Sequence, residues 1–549
     1  MIMEKIMKFY EKYKNVLFIV FLLFLVAYLT FYIFVGCKYY INSDSTFFID
    51  YSIEQIETGE FFPKYWIHGN DFWIYSLIPL LTLFIKLGIG LFTSRQLVVF
   101  IQSIFLIMLI VDLFNRETKN KIGSKIALML IMSGVSGMFV FELFRDATYG
   151  TVMFYMLLEV LLFIKILNKP KHKILFLIAF SIIMTLITAC SLRFPIFIGA
   201  PLICVLLYFI YNDKIKKDYI IIGLSIVISI FIGFLMHKYL KSHYILYTQY
   251  ANKNVIKSSS ELDSNITNIV FNYLTSCGAS HVNARGLSIM LYNSEIKTSS
   301  PLVVLTFARY LFAIVTLAVP FWLLKNIKKL NLAEKIFLIY TVSLMFIMLF
   351  FMLVANMANW HRYINPVLFF MILLYPIFYR YFAESERKRK ILFSLFMVLS
   401  VSTALFFTAT SMFDFRIFNA SAKSNEDEKI PFAQVRVNPY QEIADFLVDK
   451  NLEFGYIYGS DEHSIFYTLS GGKVRVLRIS NTGDKPYYWL NSKDWYKKNY
   501  HSGKTFFIRK KTTKGLSFEK KADEQYEVNG YDIFVFKKNE TIRSTLSNF

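Results

Sequence analysis

Charge is scarce in this chain: only 18% of its 549 residues are Asp, Glu, Lys or Arg, against about 25% in ordinary soluble domains. Cysteine is scarcer. Cys37, Cys190, Cys204 and Cys277 are scattered without a CxxC pair, which leaves no zinc site or disulfide framework to read. A Walker loop, a GxSxG elbow and an HExxH helix are all missing, which argues against nucleotide-driven transport and the common hydrolases. These shortages exclude a soluble enzyme, a disordered protein and a disulfide scaffold. What fills the chain is apolar: 55% is hydrophobic and 18% aromatic, with 57 Phe, 36 Tyr and 6 Trp. The net charge of +21 would raise nucleic acid in a soluble protein. Beside apolar spans, basic residues set membrane orientation instead, and no nucleic-acid partner is expected. The composition is that of a polytopic membrane protein.

A bilayer span needs about 20 mostly apolar residues. Candidates lie at 16–36, 72–91, 95–114, 126–143, 149–167, 174–191, 195–212, 219–236, 301–324, 333–355, 362–380 and 391–412. The first reads as an anchor, because its apolar run is too long for a signal peptide and no small-residue cleavage site follows. If all of them crossed from a cytoplasmic N-terminus, the basic loops 115–125, 169–173 and 213–218 would lie outside, against the positive-inside rule. Segment 72–91, carrying Pro79, Lys86, Gly88 and Gly90, suits a broken or interfacial helix. Removing it leaves eleven spans and puts every basic loop inside, including 325–335 and 380–390.

The expected fold is therefore a polytopic α-helical membrane domain, 1–412, with outer loops 37–94 and 237–300, a polar linker at 413–437, and a small extracytoplasmic α/β domain at 438–549. Within the tail, helices at Pro439–Lys450 and Asp461–Leu469 alternate with strands at Phe454–Tyr458 and Lys473–Ile479, and further strands are expected at Thr505–Arg509 and Tyr531–Phe536.

Candidate chemistry collects on the outer side. Asp44, eight residues past the first span, is a carboxylate against a membrane surface, an environment that raises a carboxyl pKa and suits proton removal from a hydroxyl. The alternative is a helix cap. Asp146 lies in the turn between the third and fourth spans, on the same side. The two acids would share base and orienting roles or hold a divalent cation, Mg or Mn. Arg193, Arg285 and Arg362 stand near the outer face, where the topology rule disfavours them, and Arg309 falls inside a span. Their planar forks suit phosphate oxygens; snorkelling to headgroups is the plainer reading. His361 adjoins Arg362, where it would bond a phosphate or cap a helix. Trp66 and His68, with Tyr65 and Trp73, offer aromatic faces for a sugar or an interfacial belt.

With these residues in place, the pattern resembles the GT-C class of membrane glycosyltransferases, close to protein-mannosyltransferases and aminoarabinose transferases, in a bacterial branch with a soluble C-terminal domain. Asn42-Ser-Asp-Ser45, Glu57-Thr-Gly-Glu-Phe-Phe-Pro-Lys-Tyr-Trp66, His361-Arg-Tyr363 and Tyr487-Tyr-Trp-Leu-Asn-Ser-Lys-Asp-Trp-Tyr496 carry the likeness. The resemblance implies that Asp44 is the general base, Asp146 the second acidic position, and Arg362, flanked by His361 and Tyr363, the holder of a donor phosphate. It also implies a polyprenyl-phosphate-linked sugar as donor, inverting transfer on the outer face, and an envelope glycan, lipid or protein as acceptor. The second loop has a single Asp where several relatives carry an acidic pair, and no WWD motif points to an oligosaccharyltransferase. The rival readings are a flippase or transporter of lipid-linked glycans and a non-catalytic envelope scaffold. The acids concentrate in outer loops instead of lining a central path, which favours surface chemistry.

Overall fold

The computed structural model describes residues 2–69, 71–145, 148–168, 170–212, 217–246, 259–279, 301–354, 361–383, 386–415, 433–458, 462–480, 485–497, 499–539 and 542. Apolar stretches become helices because only a helix satisfies every backbone polar group within the segment. Up to the second basic turn these are α1 (Ile2–Phe34), α2 (Ser43–Thr58), α3 (Ile78–Lys86), α4 (Leu91–Asp112), α5 (Lys121–Met132), α6 (Gly137–Val140) and α7 (Thr148–Asn168). Then come α8 (Lys173–Cys190), α9 (Ala200–Asn212), α10 (Lys217–His243), α11 (Ser259–Ser276) and α12 (Pro301–Lys325). The bundle closes with α13 (Leu332–Val354), α14 (Ile364–Ile372), α15 (Tyr375–Phe382) and α16 (Arg387–Met412).

Among the described residues, ten helices are long and apolar enough to cross a membrane, or eleven if α5 and the helical turns of α6, bent by 94°, count as one span. The outward faces of α8, α10, α12 and α16 expose Ile174, Phe231, Ile314 and Val398, a surface that suits lipid and not water. Segment 72–91 holds α3, whose nine residues reach about 13 Å at the helical rise, short of a bilayer core. The expected span 126–143 is not one rod. Its break falls at Gly134 (φ 91°) and Val135 (φ 53°), left-handed positions that no helix continues through.

The chain runs between two ends. At one, the basic turns meet: Lys165 pairs with Asp112 and Lys173 with Asp218, while Arg380 reaches Glu334 at 3.1 Å and the Thr118 carbonyl at 3.0 Å. Asn120 joins this end by donating to the Pro376 carbonyl at 3.0 Å. At the other end, Phe72 N donates to Cys190 O at 2.9 Å, and β1 (Ile67–His68) pairs in parallel with β2 (Ile245–Leu246). The bent pair begins at Lys121, beside Asn120, and ends at Phe144.

After α16, β3 (Phe413–Phe415) pairs antiparallel with β4 (Ala433–Val435), joining the two margins of the expected linker; its interior, 416–432, lies outside the described residues. The tail then folds through α17 (Gln441–Asp449), β5 (Phe454–Tyr458), α18 (Ile465–Leu469), β6 (Arg475–Ile479), β7 (Thr505–Lys510), β8 (Glu524–Val528) and β9 (Tyr531–Phe536). The strand order is β6-β5-β7-β9-β8, parallel across β6-β5-β7 and antiparallel beyond. Alternation of side chains gives this sheet two buried faces. Ile457, Val476, Phe506, Ile508 and Ile533 pack with Ile443 and Leu447 of α17. Tyr456, Leu477, Phe507 and Phe534 belong instead to an apolar cluster with Phe48, Tyr51 and Ile53 of α2, with Trp66, and with Val98 of α4.

Polar contacts fix the same docking. Ser43 N donates to Glu462 at 3.2 Å, Thr46 and Ser464 share a 2.7 Å hydroxyl contact, and Trp495 Nε1 donates to Glu54 at 2.7 Å. Arg475 pairs with Glu57 at 3.0 Å, and Asn438 donates to the Tyr39 carbonyl at 3.0 Å. The tail thus sits directly on the helix that carries Asp44.

Candidate functional site

The α2 terminus sets the position of Asp44. Asn42 is the N-cap: its side chain accepts from Ser45 N at 3.0 Å, and Ser45 Oγ accepts from Asn42 N at 3.0 Å. This reciprocal box satisfies two otherwise orphaned amides. The capping role considered for Asp44 therefore belongs to Asn42, and the Asp44 carboxylate stands in the first helical turn, where the helix dipole favours an anion.

Asp44 opens into a cleft of about 490 Å³, part of it open to solvent, at the end of the bundle away from the basic turns. Its neighbours arrive from far apart in sequence. Arg362 enters from the 3-10 turn His361–Tyr363 ahead of α14, its guanidinium 3.8 Å from Asp44 Oδ2. Arg193 comes from the turn after α8. Trp73, Phe47 and Gly69 come from the first outer loop, Tyr149 from the start of α7 and Glu142 from the turns following α6. Trp489 and Leu490 complete the wall from the tail.

The two arginines are held differently. Arg193 lies 3.2 Å from Asp71 Oδ2 and donates to Tyr149 Oη at 3.1 Å, while Ser191 Oγ donates to the other Asp71 oxygen at 2.7 Å. This set fixes the Arg193 fork in place. Burial disfavours its charge, but Asp71 and Tyr149 more than offset that and hold its pKa well above the ordinary value. At Arg362 burial again opposes the charge, and Tyr149, Asp44 and Glu142 raise the pKa past it. The Asp44–Arg362 separation of 3.8 Å exceeds hydrogen-bond length. Tyr363 packs edge-on against Tyr149, with centroids 6.0 Å apart, beside both arginines. The cleft is therefore a pair of permanent cations next to a half-exposed carboxylate, a place for an anion with a proton acceptor beside it.

The other expected site residues fall elsewhere. Trp66 is 1% exposed, packed edge-on against Tyr51 at 5.2 Å and Trp495 at 5.8 Å, where it anchors the tail to the outer loop and offers no face to a ligand. His68 is likewise buried, among Tyr51, Phe62 and Phe72, and burial alone pushes its imidazole down to about 3. Arg309 is not in the cleft either. It is fully buried in the bundle, donating to the Cys277 carbonyl at 2.7 Å, to Ser400 O at 3.1 Å and to Val135 O. Asp146, Arg285 and the side chain of His361 lie outside the described residues.

Glu142 and Trp489 of the cleft, and Asp71 beside Arg193, are not among the expected site residues. Glu142 sits inside an apolar run counted as a span, and an ionisable group there is a functional candidate by default; that signal was present. Asp71 looks like any loop acid, and Trp489, within the segment Tyr487–Tyr496 that carries the likeness, lies more than 400 residues from Asp44, so no local feature places either of them at the cleft. Among the described residues no three His, Cys, Asp or Glu side chains converge as a metal-holding group. Of the described residues lining the cleft, Asp44 and Glu142 bring carboxylates and Arg193 and Arg362 guanidinium groups, and Asp71 pairs with Arg193. No protein-family model matches the chain, and no curated protein matches it significantly.

Proposed function

We propose that this chain is an inverting glycosyltransferase of GT-C type, moving a sugar from a polyprenyl-phosphate carrier to an envelope acceptor at the extracytoplasmic membrane face. The observation that carries the reading is the juxtaposition of Asp44 with Arg362 and Arg193 in one cleft at the end of an apolar bundle. The basic turns at the opposite end support a cytoplasmic assignment for that side, which leaves the cleft and the tail outside.

In this reading the carrier stays in lipid while its phosphate meets Arg362 and Arg193. Asp44 accepts the proton of an acceptor hydroxyl as that oxygen attacks the anomeric carbon. The bond from that carbon to the phosphate oxygen breaks, and polyprenyl phosphate leaves with the electron pair. Charge building on the leaving phosphate falls between two guanidinium groups already in place, the kind of preorganised stabilisation that is usually the largest catalytic contribution. Proton removal adds about 10²–10⁴-fold.

The test uses the full chain in lipid nanodiscs with a panel of undecaprenyl-phosphate-linked hexoses and pentoses, reading release of undecaprenyl phosphate. Asp44→Asn is expected to lower turnover by about 10²–10⁴-fold with carrier binding kept, and Arg362→Gln to weaken carrier binding itself. An Asp44→Asn variant with the full rate would remove the base from the mechanism. Binding of the carrier without release of any sugar across the panel would favour a flippase.

A further inference from the structure

Resting on the transferase reading, we infer that the tail supplies a saccharide-stacking wall to the cleft, with Trp489 as its platform. Trp489 and Leu490 share the cleft with Asp44, Arg193 and Arg362, although they belong to a loop of the tail. That loop, 485–496, is braced from within. The Tyr496 hydroxyl lies 2.9 Å from Arg478 O and 3.2 Å from Tyr487 O and accepts from Asn491 Nδ2 at 3.0 Å. The Arg478 guanidinium covers the Tyr487 ring at 3.7 Å. The loop is also pinned from outside: Ile67 N donates to Asn491 O at 2.8 Å, and Lys493 N donates to Tyr65 O at 3.0 Å.

Its tip is wedged. Leu490 holds φ 51°, a left-handed backbone that a leucine keeps only where its surroundings impose it. A Cβ at Gly69 would lie 3.1 Å from Leu490 Cδ2 and in ordinary contact, at 3.7 Å, with Trp489 Cη2, so the Leu490 side chain would have to give by a few tenths of an ångström to admit one. A flap that merely shields the cleft needs neither the strain nor the close fit. A half-buried indole beside carboxylates and guanidinium groups matches a pyranose, whose C–H face is apolar and whose rim of hydroxyls seeks charged partners.

Two sugars pass through such a cleft, the one on the carrier and one on a glycan acceptor, and the experiment separates them. Full-length protein in nanodiscs is compared as wild type, Trp489→Leu, which keeps bulk but no ring, and Trp489→Phe, which keeps a ring. Three probes are used: undecaprenyl phosphate, the same carrier bearing a hexose, and methyl hexopyranosides followed by saturation-transfer NMR with undecaprenyl phosphate present. An unchanged melting temperature verifies that the tail stays docked. The expected result is that Trp489→Leu leaves bare-carrier affinity unchanged and weakens one sugar-bearing probe by about 2- to 12-fold, with Trp489→Phe recovering most of it. Loss on the hexose-bearing carrier places the donor sugar on Trp489; loss on the methyl hexosides places the acceptor there. Equal affinities for all three proteins on both sugar probes would overturn the inference. Failure of the wild type to bind the bare carrier would sink the transferase reading instead. The methyl-hexoside comparison would then still decide Trp489, a ring-dependent signal sustaining the platform and its absence overturning it.

Discussion

Arg309 separates a structural arginine from a ligand-binding one, and its replacement can be worked through quantitatively. Its guanidinium spans three carbonyls, Cys277 O at 2.7 Å, Ser400 O at 3.1 Å and Val135 O, and stands 3.4 Å from Thr403 Oγ1. Ser400 lies within a helix, where its carbonyl has a helical partner. Val135 and Cys277 lie at an elbow and just past a helix end, so their carbonyls depend on Arg309. Arg309→Met keeps much of the apolar stem and removes the charge. Two buried carbonyls then lose their donor at about 1–3 kcal/mol each, for a destabilisation of about 2–6 kcal/mol. Removing a buried cation recovers some desolvation cost, which favours the lower part of that range. Arg309→Lys is expected to do little better, since one ammonium cannot span carbonyls on separate elements. Thermal unfolding in detergent is the assay, alongside undecaprenyl phosphate binding by the surviving folded fraction. The expected outcome is a lowered transition with unaltered affinity. A variant that melts like wild type but no longer binds the carrier would refute the reasoning and return Arg309 to the ligand.

Two further predictions concern ion pairs around the cleft and under the tail. Asp71→Asn leaves Arg193 without its anionic partner and is expected to cost about 3–5 kcal/mol, seen as a lowered melting temperature; the double change Asp71→Asn, Arg193→Met should recover part of it, and simple additivity would deny the coupling. Asp50, buried between α2 and the tail, has its carboxyl pushed up to about 8, by burial first, with Arg475 opposing and Glu57 and Glu54 adding. Above the unfolded carboxyl value of about 4 the unfolded chain has released a proton that the folded protein keeps. Stability should therefore fall as pH rises from about 4 to about 8 and level off beyond it. Asp50→Asn should flatten that slope in melting curves taken across the window, and an unchanged slope would assign it to another group.

The helical bundle is legible because a long apolar run has one economical answer in lipid, and the short, interrupted segment 72–91 is legible as the exception. Asp44 could be picked out because a cap, a first turn and the end of a span are all local features. The elbow at Gly134 and Val135 was not legible. A run such as 126–143 keeps its hydrophobicity while its backbone turns, so hydropathy sees no break, and Glu142 shows within it only as a lone acid. Trp66 and His68 were drawn towards the site by the aromatic crowding of their segment and Arg309 by its place inside a span. Their surroundings come from Trp495, from Phe72 and Tyr51, and from carbonyls 32 to 174 residues away.

The tryptophans show how far such reasoning reaches. Trp66 and Trp73 lie seven residues apart in the same outer loop, and no local property tells which of them faces a ligand. The tail decides. Trp495 packs edge-on against Trp66 and closes it off, while Trp489, six residues earlier in the tail, shares the open cleft with Trp73. A single loop therefore buries one aromatic of the outer segment and adds a second to the cleft. The tail also bonds α2 at Ser43, Thr46, Glu54 and Glu57, the first of these adjacent to Asp44. Displacing the tail would thus take away one wall of the cleft and loosen the helix that aims its acid, so the two parts of the chain make one site.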